Sequence, residues 1–372
     1  MESTRRIDAL TGLRPFASFY VFFFHFGRPL VAAWPPWLRS LAGSGYVGVS
    51  FFYVLSGFVL ALSYGSRIAA GDFSHRRFLV RRLSRLVPAY LFALALLLPL
   101  ALRPDGGVRT SALGALLQLF MLQAWWPPVA LSWNLPAWSV SVELALYLAL
   151  PALIRALVRL SPRQRVVALV VAWAASLAIA GGYAALAPDG VVGPDSDALF
   201  LGFVKFWPPA RLPELAFGVT LGLLYDRDRR PPAWLAPVAA LALVAVLALA
   251  DRLPFALVHN ALCVPLFGAL VWSAAAARGA VGRVLGARPL YRLGRASYAV
   301  YILQMPLMYH VLAARLPLAG ARFFVVFAAL VYAVGLAFHL AVEQRASAWL
   351  LHGWGSKRAA SASERSIERF LV

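Results

Sequence analysis

Stretches of about twenty apolar residues recur from one end of the chain to the other, each long enough to cross the hydrocarbon core of a bilayer. They fall at roughly 13–33, 45–65, 84–102, 137–157, 165–187, 211–226, 234–250, 255–277, 296–314 and 322–343. Of 372 residues, 62% are hydrophobic and only 13% charged, well short of what a soluble globular chain carries. The sequence therefore predicts an all-α polytopic membrane protein, a single bundle of about ten transmembrane helices. The first apolar run is too long, and lacks the small-residue cleavage site, for a removed signal peptide. An eleventh candidate, 111–125, is short. If it crossed, the arginines at 155–165 would lie outside, so a re-entrant or interfacial piece accounts for it better.

The net charge of +20 might point to nucleic acid, but the basic residues come in short clusters between apolar runs. With ten crossings and the N-terminus inside, the inner segments hold 26 Lys/Arg and the outer ones 9. That imbalance orients the bundle with both termini cytoplasmic, in the cytoplasmic membrane. Residues 1–350 read as one transmembrane domain, and 351–372 as a polar cytoplasmic tail. The single cysteine, Cys263, lies within an apolar run and excludes an intrachain disulfide. The six histidines show no pair at ligand spacing, so no metal is expected.

Polar residues inside the apolar runs are costly and mark function by default. Arg14 and His25 are eleven residues apart on the first run, which on a helix is about three turns and a rise of about 16 Å along one face. His25 can serve as a general base, or merely hydrogen-bond a neighbouring helix. In the fourth run Ser139, Glu143 and Tyr147 stand at i, i+4 and i+8. Glu143 is expected about 9 Å below the outer end, close to the depth of His25, where a carboxylate can orient or charge an imidazole. The alternative is a structural buried pair.

Before the third run, Arg82 and Arg85 share a helix face, with Arg81 beside them. Arginine forks suit phosphate groups, although such a cluster also satisfies the inside rule or touches anionic lipid. The second run is rich in small residues over 45–58, for which close helix packing is the favoured role. Glu214 either faces a cavity or pairs with Arg211, the pair being favoured. Ser297, Tyr301, Gln304 and Met308 share a face that lines a cavity or joins helices. Glu343 with Arg345 reads as a structural ion pair.

Several of these segments form an ordered set: Leu10-Thr-Gly-Leu-Arg14 with His25, Gly48 to Phe58, Arg81-Arg82-Leu-Ser-Arg85-Leu-Val-Pro88, Trp138-Ser-Val-Ser-Val-Glu143, Arg211-Leu-Pro213 with Gly218, and Gly294-Arg-Ala-Ser-Tyr298-Ala-Val-Tyr301. In this order, over about residues 6–345, the chain resembles the integral-membrane acyltransferase-3 family, whose members acylate macrolides, other natural products and cell-surface glycans. The resemblance implies transfer of an acyl group, commonly acetyl, from acyl-coenzyme A to a hydroxyl. It implies His25 and Glu143 as catalytic residues, and Arg14, Arg82 and Arg85 as the coenzyme-binding set. Ser139, Tyr147 and Tyr301 are the candidates for the acceptor side.

Two departures stand out: Gln304 replaces a frequent histidine, and the aromatic pair after the glutamate is reduced to Leu146-Tyr147. No esterase-like domain of the kind some glycan-modifying relatives carry is expected. No cofactor is expected to be held permanently; acyl-coenzyme A is the expected co-substrate, with a sugar, macrolide or other hydroxyl-bearing acceptor, the bilayer, and no nucleic acid as partners. Direct transfer and an acyl-histidine intermediate are equally compatible with the sequence. A transporter or flippase using the same polar residues is the competing class, and a catalytically dead partner subunit a third reading.

Overall fold

The computed structural model describes residues 2–102, 111–226, 230–314 and 319–353. Among them every regular element is helical. In chain order these are α1 (Glu2–Phe26), α2 (Pro36–Gly43), α3 (Gly48–Ala69), α4 (His75–Ala101), α5 (Ala112–Leu119), α6 (Trp138–Val158), α7 (Pro162–Leu186), α8 (Leu199–Phe206), α9 (Pro208–Leu224) and α10 (Leu235–Ala248). The short α11 (Phe255–Leu257) passes through a π-turn, Val258–Leu262, towards α12 (Val264–Ala275). Then come α13 (Gly279–Leu285), α14 (Arg288–Ala313), α15 (Gly320–Phe338), a second π-turn at His339–Glu343, and α16 (Gln344–Gly353). Most of the tail expected at 351–372 lies outside the described residues.

Among the described residues six helical stretches are long and apolar enough to cross a membrane: Pro36–Ala69, His75–Ala101, Leu135–Val158, Pro162–Leu186, Phe255–Ala275 and Gly320–Trp349. The chain is thus a multi-pass membrane protein. The other expected spans correspond to α1 and α14, which carry arginines, and to α9 and α10, which have 17 and 14 residues. Lipid-facing surface explains an otherwise odd distribution. Only 22% of the apolar window of α7 is buried, and Val166, Val167, Val170 and Val171 stand exposed along it. In water such a stripe would be an aggregation site; in a bilayer it is the ordinary exterior. The segment 111–125 contains the eight-residue α5, about 12 Å long, and a 3₁₀ turn at Gln123–Trp125, neither of which can cross.

Local chemistry sets the ends. Ser161 starts α7 with a reciprocal capping box to Gln164, and Pro162 occupies the first helical position. α1 stops at Phe26, with Gly27 next and Pro29 within the following 3₁₀ turn, Arg28–Val31. The span expected to run to residue 33 therefore ends seven residues early, and His25 stands in the last turn of its helix.

The largest helix–helix interface joins α3 to α9. It is made by glycines, as the small residues of the second run suggested. A Cβ on Gly57 would overlap the Leu215 carbonyl, and one on Gly218 the Val54 carbonyl, so the two backbones touch directly. α1 packs chiefly on α14.

Candidate active site

Two cavities divide the polar residues. The larger, about 640 Å³, opens at the C-terminal end of α1 and is lined by His25, Arg28, Arg39, Ser40, Ser44, Tyr46, Val192 to Pro194, Asp251 and Phe255, among others. The smaller, about 40 Å³, is lined by Arg14, Ser56, Arg82, Arg85, Glu143, Tyr147 and Tyr298, with apolar residues of α3 and α4. Helix α1 is the physical link: Arg14 lines the small cavity, and His25, about 16 Å along the same helix, lines the large one.

The structure brings Arg14, Arg82, Arg85, Glu143 and Tyr147 together. Arg82 is buried, with its guanidinium over the rings of Phe78, Tyr147 and Tyr64 at 5.5, 5.6 and 5.8 Å. Such faces offset part of the cost of burying a cation. Its Nε and Nη2 have no hydrogen-bond partner, which is unusual for buried guanidinium donors. Arg14 Nε donates to Ser297 Oγ at 3.2 Å, and its guanidinium lies 5.6 Å from the centre of the Phe52 ring. Arg85 Nε is 3.9 Å from Glu343, which also meets His339 Nδ1 at 3.0 Å. The expected Glu343–Arg345 pair is replaced by these two contacts; Arg345 is exposed, while the π-turn carries both His339 and Glu343 inward.

Glu143 is placed with the arginines, away from His25. It accepts a hydrogen bond from the Tyr147 hydroxyl one turn on, and the two side chains line the small cavity only. The His25 ring instead packs between Phe24 and Phe26, at 5.1 and 5.9 Å between ring centres. Depth along two helices matched them in sequence, but the faces on which they project do not meet. Ser139 and Tyr301 both donate to the Pro136 carbonyl, at 3.1 Å each, and neither lines either cavity. The Tyr301 bond ties α14 to the start of α6, and the Ser139 bond is local to that start.

Two further groups of polar residues were missed in whole or in part in the sequence. The first is a buried network around Arg211 and Glu214, which pair at 3.0 Å as favoured. Arg211 also reaches Ser50 Oγ at 2.9 Å and His259 Nδ1 at 3.1 Å. The Ser50 hydroxyl lies 3.0 Å from Glu214 and 2.8 Å from the His259 carbonyl, so α3, α9 and the first π-turn meet there. The His259 ring stacks on Tyr46, in the large-cavity wall, at 5.6 Å and 11°. A histidine inside an apolar run was the available signal.

The second group rims the large cavity. Arg28 grips Asp195 with two hydrogen bonds of 2.7 and 2.6 Å. The guanidinium holds the Asp195 carboxyl below the ordinary aspartate range. Lys205, on the short α8, is buried, and burial pulls its ammonium down to about 8. It donates to the carbonyls of Pro194 and Ser196 at 3.0 and 3.3 Å.

Two cavities joined by one helix, with three arginines and a carboxylate in one and a histidine in the other, suit a reaction that holds an anionic carrier and attacks a group delivered from it. Residues 7–342 match the family described as an acyltransferase domain. The chain belongs to this acyltransferase family. The acyltransferase is 30% identical over 314 residues to acyltransferase MdmB of Streptomyces mycarofaciens, covering 80% of this chain and 78% of that protein. It is 29% identical over 180 residues to O-acetyltransferase OatA of Staphylococcus aureus, covering 44% of this chain but only 27% of that protein. A third relative, protein 2 in the picA locus of Rhizobium radiobacter, is 35% identical over 96 residues, 25% of this chain and 44% of that protein. No solved structure matches this acyltransferase. It is a membrane-embedded enzyme of the acyl-transfer class.

Proposed function

We propose that this acyltransferase moves an acyl group, acetyl in the simplest case, from acyl-coenzyme A to a hydroxyl on a sugar, macrolide or other natural product. The observation that carries the reading is α1 itself, which places Arg14 in one cavity with Arg82, whose Nε and Nη2 have no partner, and His25 in an accessible cavity about 16 Å away. An extended pantetheine arm spans such a distance. In this reading ten spans put both chain ends in the cytoplasm, and the coenzyme's anionic end meets Arg14, Arg82 and Arg85 on that side of the cytoplasmic membrane. The small cavity of about 40 Å³ holds a water molecule or so, so it must widen to admit the thioester arm.

The acceptor occupies the large cavity, where His25 takes the proton from its hydroxyl. The hydroxyl oxygen then attacks the thioester carbonyl, the carbon–sulfur bond breaks, and the coenzyme thiolate leaves and recovers a proton. Glu143 serves the donor side: one carboxylate among three guanidinium groups offsets their mutual repulsion and, with Tyr147, fixes their placement.

The test uses membranes carrying the protein, supplied with radiolabelled acetyl-coenzyme A. His25→Ala should abolish label transfer while the purified variant keeps the unfolding temperature of the native protein. Transfer at the native rate by a folded His25→Ala variant overturns the base assignment; no labelled product from the native protein in membranes of a producing cell overturns the donor.

A further inference from the structure

We propose that Arg28 is the specificity-determining residue of the large cavity: latched to Asp195, its side chain bars the mouth and sets the size of molecule that reaches His25. The identity of that molecule as the acceptor rests on the acyl-transfer reading above; the barrier itself does not.

Three observations meet here. Arg28 follows His25 by three residues and lines the same cavity, while 38% of its side chain remains exposed, so it stands between the interior and solvent. Its guanidinium lies 5.1 Å from the centre of the Phe24 ring and closes on Asp195 through both η nitrogens. Asp195 is a fixed post. The carbonyls on either side of it, of Pro194 and Ser196, are gripped by buried Lys205. Further back, Asp189 is fastened to Leu201 N at 2.7 Å and the Tyr183 hydroxyl at 2.9 Å. The loop's Val192, Gly193 and Pro194 form the facing wall.

One partner of the bridge is therefore anchored, and the other is a long, half-exposed side chain free to swing. A pair of this exposure is weak, so it opens readily. Once released, the Arg28 fork faces the cavity with its donors available to oxygen atoms on an entering molecule.

The single native cysteine, Cys263, is buried, so a thiol placed in the cavity can be read cleanly. Val192→Cys in a Cys263→Ser background places one on the lining at a half-buried position, with Leu253→Cys as a second position should the first fail to fold. Labelling is followed with a small and a bulky membrane-impermeant maleimide. Arg28→Ala and Asp195→Ala should each speed the bulky reagent about fivefold and leave the small one within about twofold. The exchange Arg28→Glu with Asp195→Arg should restore slow bulky labelling. An unchanged bulky rate in either single variant, or an exchanged pair as open as the single variants, overturns the latch. Labelling needs no turnover, so a failed latch and a failed acyl-transfer reading give different results.

Discussion

Glu143 accepts a hydrogen bond from the Tyr147 hydroxyl on the next turn of α6, and both stand among Arg14, Arg82 and Arg85. The carboxylate thus belongs to the cation cluster. Glu143→Gln removes its only negative charge among the cavity-lining side chains and should lower kcat/KM for the acyl donor about tenfold, on the scale of one hydrogen bond to a charged group. Acceptor KM and the pH profile of transfer should stay in place. A displaced pH profile would tie Glu143 to the imidazole instead.

Arg82 is the sharpest test of the donor side. It is buried against three rings and has two nitrogens without partners. Arg82→Lys keeps the charge but loses the planar fork, and donor KM should rise about ten- to hundredfold with unfolding temperature little changed. Titration of acetyl-coenzyme A at saturating acceptor measures it.

Arg211 and Glu214 are fully buried, so removing one partner strands the other. Arg211→Met or Glu214→Leu should each cost about 3–5 kcal/mol of stability. The double variant should be milder than either alone, because no buried charge is then left unpaired. Thermal unfolding in detergent decides the order.

The Arg28–Asp195 bridge predicts a pH response of definite sign. Asp195 is held below its ordinary range by the Arg28 hydrogen bond, so its contribution is fully present above about pH 4 and is lost as pH falls through the lowered value. The ratio of bulky labelling rates, Asp195→Ala over native, should stay constant from about pH 5 to about pH 8. A ratio that collapses towards unity near about pH 6 would contradict it.

The helices were legible because apolar runs, prolines and caps act locally. His25 stood out because an ionisable group inside an apolar run is expensive, and that Arg82 and Arg85 share a face was legible from their spacing on a helix. The pairing of His25 with Glu143 was not, since position along a helix fixes depth, whereas each residue also turns the face by about 100°. Helix α1 also ends at Phe26, which puts His25 at a cavity mouth. Arg28 and Asp195 are 167 positions apart, and nothing local announces their meeting. Glu343 turned away from Arg345 because a π-turn shifts the register by which neighbours are counted.

The glycine contact between α3 and α9 has a mechanical consequence. Leu55, Ser56, Val59 and Leu60 of α3 form one wall of the small cavity, and behind that wall backbone presses on backbone at Gly57 and Gly218. No side-chain layer is left there to compress. The opposite wall, α4, has Pro88 one turn beyond Ser84, whose carbonyl it cannot engage in the usual helical bond. Any widening of the small cavity therefore falls to its other walls, where Pro88 of α4 and Pro15 of α1, beside Arg14, each take one bond out of the helical ladder.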